Sequence, residues 1–241
     1  MSRIRTFVAV ELSPDVAGHC RDLIKRLSKV ETEVHWVDPK SIHLTLKFLG
    51  DVLDREVHEV CRAVEKACAG MDAFDFSCGG VGAFPSLERP RTIWLGIRQG
   101  SDKLAELSER VEHELHLIGY PKERRRFSPH ITIGKIRDGG VPEPALIEAL
   151  QRLANFDGGE CDVSEVTVFS SELRREGPLY TPLSHAGLKE SYRKKKEDDD
   201  EEEEDEDSDP ELDEGEDDDD WNSLDDMDED DEEEEEEDGK K

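Results

Sequence analysis

The chain is 241 residues long with a formal net charge of −31 at pH 7, and the charge is lopsided. From Glu197 onward 33 acidic residues stand against Lys240 and Lys241, while residues 1–196 hold 30 acidic and 30 basic residues. The bulk charge therefore describes a tail and excludes nothing about the rest. Like charge with so few apolar residues cannot bury enough surface to offset the entropy of ordering, so residues 191–241 are expected to be a disordered acidic tail.

Residues 6–10 (Thr-Phe-Val-Ala-Val) read as a buried strand. Ser13 then caps a helix with Pro14 in its first turn and Val16, Cys20, Leu23 and Leu27 as its apolar stripe. A short strand at 34–37 and a turn at Asp38-Pro39 lead into His43-Leu44-Thr45-Leu46-Lys47-Phe48-Leu49-Gly50, an alternating strand. A second helix starts near Asp54 with Val57, Val60, Cys61, Val64 and Cys68 at helical spacing, and 74–78 alternates as a half-buried strand. The order then repeats. Residues 92–97 form a strand, Leu104, Leu107, Val111, Leu115 and Ile118 mark a helix, and the basic loop 122–126 precedes His130-Ile131-Thr132-Ile133-Gly134. Another helix is entered through Pro142 and Pro144, residues 163–170 form one strand, and 179–184 form a last one.

Strand, helix, His strand, helix, strand thus occurs twice. This predicts an α+β domain over residues 1–190, with two pseudo-twofold-related lobes. Each lobe is a small, mostly antiparallel sheet with helices on its outer face, and a cleft lies between them. Five cysteines form no C-x-x-C pair and, being odd in number, no disulfide framework. With no long apolar run at the N-terminus or elsewhere, the chain is expected to be cytoplasmic and monomeric, away from membranes.

The two His strands lie 87 residues apart and share the pattern His-apolar-Thr-apolar. Alternation puts His43, Thr45 and Lys47 on one face, with Ile42, Leu44, Leu46 and Phe48 on the other, and it pairs His130 with Thr132 likewise. Two imidazoles across a cleft suit displacement of one oxygen on phosphorus by another. One accepts a proton from the attacking oxygen and the other supplies one to the leaving oxygen, while Thr45 and Thr132 donate to the non-bridging oxygens. Near-symmetry of the motifs leaves open which histidine is acid and which is base. The domain carries no H-E-x-x-H and no acidic cluster at ligand spacing, so neither metal nor cofactor is expected.

Residues 36–50, Trp-Val-Asp-Pro-Lys-Ser-Ile-His-Leu-Thr-Leu-Lys-Phe-Leu-Gly, closely resemble the first signature of the two-histidine phosphoesterases. More narrowly they resemble the RNA 2′,3′-cyclic phosphodiesterases, also known as 2′-5′ RNA ligases. Residues 5–9, 82–85, 90–96 and 127–134 fit the same branch, so the likeness spans about residues 3–184. Lys135 stands where arginine is more common, and His35 where arginine is expected. The resemblance implies hydrolysis of a terminal RNA 2′,3′-cyclic phosphate to a 2′-phosphate, with His43 as proton donor and His130 as proton acceptor. Its partners are then RNA or oligonucleotide ends. Arg126 and Lys47 are the phosphate-binding candidates, and Trp36 and Phe7 are candidates for stacking a base. The alternatives are ligation by the reverse reaction and a non-catalytic protein that grips RNA ends or nucleotides. The acidic tail is left to contact basic partners or surfaces.

Overall fold

The computed structural model describes residues 2–136, 143–175 and 177–190. The expected acidic tail and the helix entry at Pro142 lie outside the described residues. The elements run in the order β1 (Arg3–Val10), α1 (Pro14–Leu27), β2 (Val34–Trp36), β3 (Leu44–Leu53), α2 (Val57–Cys68), β4 (Phe74–Phe84), β5 (Thr92–Gln99), α3 (Ser101–Leu117), β6 (His130–Ile136), α4 (Pro144–Arg152), β7 (Asp157–Val163), β8 (Glu165–Arg174) and β9 (Gly177–Gly187). The helices form where periodicity and capping predict them. The Ser13 hydroxyl accepts from the Val16 amide at 3.3 Å, and Val16, Cys20, Leu23 and Leu27 turn inward with Ile24. The C-terminal strands exceed the expectation. What reads as one strand at 163–170 is the junction of β7 and β8, with Ser164 between them, because the Gly-rich start of β7 lacks the alternation of a half-buried strand.

The strands join in one antiparallel sheet ordered β7-β4-β5-β6-β3-β1-β8-β9, with β2 added on β6. The two expected lobes are its halves, β7-β4-β5-β6 and β3-β1-β8-β9, and they meet where the two His strands pair. They are not successive halves of the chain. Helix α1 leaves β1 but packs on β7 and β6, and α3 leaves β5 but packs on β3 as well as β5. Helices α2 and α3 pack on each other, and α2 also covers β8 and β9, while α4 packs on β4 and α1. Interleaving follows from chemistry: each His strand needs its own neighbour (β1 for β3, β5 for β6), and the intervening helix covers the other half.

Both His strands bulge at the same point. On β3, Thr45 faces Ala9 and Lys47 faces Val8, which leaves Leu46 unpaired with β1. On β6, Thr132 faces Trp94 and Gly134 faces Ile93, which leaves Ile133 unpaired with β5. Each freed carbonyl has found a donor: Leu46 O accepts from the Ser108 hydroxyl of α3 at 3.3 Å, and Ile133 O from the Val37 amide at 2.9 Å. A bulge reverses the alternation beyond it. Residues 43–48 and 130–135 accordingly share one burial sequence, in which the fourth and fifth residues are both buried and the sixth is exposed.

Candidate active site

Leu44 and Ile131 face each other across β3 and β6. Antiparallel strands step in opposite directions from such a pair, which sets His43 alongside Thr132 and Thr45 alongside His130. All four lie on the face opposite Leu44 and Ile131, whose side chains are wholly buried. The two histidines are then diagonal neighbours, about 7–8 Å apart at Cα.

The rings are tethered alike. His43 Nδ1 lies 2.8 Å from Ser41 O, and His130 Nδ1 lies 2.7 Å from Ser128 O. A carbonyl oxygen only accepts, so each Nδ1 carries the proton and each neutral ring presents a bare Nε2. An aromatic ring meets each imidazole edge-on, Tyr180 at 5.2 Å from His43 and Phe84 at 5.0 Å from His130. Phe7 lies against His43 at 4.8 Å, and Phe169 stacks on Phe7. Burial among these rings pulls the His43 pKa below its ordinary value. The bond to Ser41 O opposes that shift, and the Lys135 ammonium adds to it. Burial likewise pushes the Tyr180 phenol up, against the pull of Arg5, so the hydroxyl stays protonated at neutral pH.

Thr45, Thr132 and His130 line a cleft of ≈ 1460 Å³, whose walls also carry Phe48, Phe84 and residues 124–126. Arg126, a phosphate-binding candidate, lines this cleft. Lys47 is not on the His43 face. The bulge at Leu46 turns it toward α3, where it is 4% exposed, with Nζ 3.1 Å from Glu112 Oε1 and 3.0 Å from Pro121 O. The same phase change brings Phe48 out to 64% exposure, and Lys135, its counterpart on β6, is exposed too. Phe7, at 3% exposure, is a support for His43 and offers no face to a base. Trp36 seats on β6: a Cβ on Gly134 would come within 2.9 Å of its ring, and the indole packs against the core. Tyr180, Phe84 and Phe169 had no sequence signal linking them to the histidines.

Folding also gathers a cluster that sequence spacing hides. Glu11, Glu165 and His185 come from the adjacent strands β8 and β9 and the end of β1, and their ligand atoms lie within 4.8 Å of one another. Thr167 Oγ1 donates to Glu11 at 2.9 Å, and His185 Nδ1 lies 3.2 Å from Glu165. The three side chains are exposed and read as a surface ion-pair network.

A family model described as LigT-like phosphoesterase matches the chain twice, over residues 10–94 and 95–180. The chain belongs to the LigT-like phosphoesterase family, and the double match follows the internal repeat. A protein of Methanothermobacter thermautotrophicus named RNA 2′,3′-cyclic phosphodiesterase is 31% identical over 181 residues, 75% of this chain and 97% of the relative. One of the same name from Thermotoga maritima is 32% identical over 180 residues, 75% of this chain and 93% of the relative. The crystal structure of E. coli LigT complexed with 3′-AMP superposes with a TM-score of 0.62 at 25% identity, covering 78% of this chain and 99% of that one. Among the described residues no helix is long and apolar enough to cross a membrane.

Proposed function

We propose that this protein hydrolyses the 2′,3′-cyclic phosphate at the end of an RNA to a 2′-phosphomonoester and a free 3′-hydroxyl. The water oxygen bonds to phosphorus as the bond from phosphorus to O3′ breaks. His130, neutral with a bare Nε2, takes a proton from the water, and His43, entering as the imidazolium, delivers its Nε2 proton to O3′. Thr45 and Thr132 donate to the non-bridging oxygens, and Lys135 and Arg126 add positive charge where negative charge collects. His43 is drawn as the acid through the family resemblance, since the two tethers are alike. The observation that carries the reading is the matched pair of Nδ1 bonds to Ser41 O and Ser128 O, which leaves the Nε2 of each ring on one face, available to take a proton or, in the imidazolium, to give one.

Both proton transfers fall to imidazoles, so the reaction as drawn calls on no metal. The reverse reaction, attack by a 5′-hydroxyl in place of water, uses the same groups. The five cysteines are free thiols, which suits a protein working in the reducing cytoplasm. The test is incubation with an RNA ending in a 2′,3′-cyclic phosphate, in EDTA, with identification of the product end. A 2′-phosphate is expected. An intact cyclic end would leave a binding protein, and a reaction that needs added zinc or magnesium would leave a different mechanism.

A further inference from the structure

The sheet face that carries His130 also carries a short aromatic ladder. Thr132 faces Trp94 and His130 faces Gly96 across β5 and β6, while Trp94 faces Gly82 across β4 and β5. Opposed residues share a face, as do residues two apart on one strand, so Gly82 and Phe84 lie there too. The two glycines form the seat of the indole. A Cβ on Gly82 would overlap the Trp94 ring, and one on Gly96 would come within 3.0 Å of it. From this seat the indole meets the Phe84 ring at 5.2 Å, and Phe84 meets the His130 imidazole edge-on at 5.0 Å. The indole is not there for the core. That core lies on the opposite face, under Ile93, Leu95 and Ile131, and neither Trp94 nor Phe84 belongs to it. Trp94 Nε1–H is also buried without a hydrogen-bond partner among the described residues, a cost that a phenyl ring would avoid. Nor does the internal repeat demand an indole, since Thr45 of the other His strand faces Ala9 where Thr132 faces Trp94. His43 is held instead by Phe7 and Tyr180.

We propose that Trp94 is a positioning residue for His130, acting through Phe84. Phe84 and His130 line the cleft, and Trp94 stands behind them on its glycine seat. The bond from Nδ1 to Ser128 O tethers the imidazole at one atom and leaves it free to swing about that bond. The Phe84 ring limits the swing, and the indole keeps Phe84 in place. A proton-transferring group must be held in its productive geometry by packing of this kind. What His130 does rests on the phosphodiesterase reading above; where Trp94 sits does not.

The experiment moves the indole without removing any group from the cleft. Gly82→Ala puts a methyl where the ring lies, and the partly exposed indole yields toward the open face. On an RNA 2′,3′-cyclic phosphate, kcat falls about tenfold or more while KM changes by less than about threefold. In the same variant the His130 Nδ1–H resonance, held sharp in the wild type by the bond to Ser128 O, broadens. Adding Trp94→Phe to Gly82→Ala restores most of the rate, because the smaller ring makes room for the methyl. Gly82→Ala costs nothing further in a His130→Ala background and its full factor in a His43→Ala background. Circular dichroism checks folding, and Trp94→Phe alone, which adds no atoms and also lowers kcat, carries the test if the methyl unfolds the chain. Unchanged kcat in the folded variants, or equal losses in the two histidine backgrounds, overturns the positioning role and leaves the phosphodiesterase reading standing. A wild-type protein that leaves the cyclic phosphate intact overturns that reading, and the His130 resonance then decides the positioning role alone.

Discussion

The ammonium of Lys47 and the carboxylate of Glu112 form a pair at 3.1 Å that ties the first His strand to α3, and both partners also reach the loop ahead of the second His strand. Lys47 also donates to Pro121 O, and Glu112 Oε1 accepts from the Glu123 amide at 2.6 Å. The braced loop ends at Ser128, whose carbonyl fixes His130. Burial alone would push the Glu112 carboxyl up, but the Glu123 amide and the lysine bring it below its usual range.

Lys47→Met strands a partly buried carboxylate and is expected to cost about 1–3 kcal/mol in urea unfolding. Glu112→Gln should cost less on its own, and the double variant should show a coupling energy on the order of 1 kcal/mol. Because the Glu112 carboxyl is depressed in the folded protein, its contribution is present above the unfolded value, near 4.3, and fades as pH falls through the folded one. Strict additivity of the two substitutions would mean that the pair braces nothing.

His43 should titrate below its ordinary value near 6.5 in the free protein, as followed by its ring proton shifts in NMR. The folded protein then binds fewer protons than the unfolded chain in the window just below that value, so stability rises with pH through it. Tyr180→Ala opens the ring to water and should move the midpoint back toward 6.5, because burial is the leading cause of the shift. A bound 2′-phosphate product should raise the midpoint, since an anion favours the imidazolium. A midpoint above 6.5 in the free protein would contradict the account.

Thr45→Val and Thr132→Val each remove one donor from the face that carries the histidines. About a tenfold fall in kcat with a smaller change in KM is expected, because the hydroxyls act where charge develops. A change confined to KM would make them binding groups only.

Much of this was legible in the chain. The His-x-Thr repeats, the Ser13-Pro14 helix start and the apolar stripes are local patterns, and local geometry decides them. The bulges at Leu46 and Ile133 are decided by what β1 and β5 pair with, so strict alternation misplaced Lys47 and Phe48. Tyr180 and Phe169 reach His43 only because β8 and β9 return beside β1, a consequence of sheet order that no spacing reveals. Glu11, Glu165 and His185 meet for the same reason.

The central claim is that His43 and His130 move the two protons of one displacement. Its most direct test is kcat of His43→Ala and His130→Ala on an RNA 2′,3′-cyclic phosphate and on its analogue with sulfur as the leaving 3′ atom. On the oxygen substrate each variant should lose at least about 10²-fold. A thiolate leaves with little protonation, so His43→Ala should regain much of its rate on the sulfur substrate while His130→Ala does not. Rescue of His130→Ala alone would exchange the two roles. Rescue of neither variant, or near-normal kcat in either on the oxygen substrate, would contradict the account.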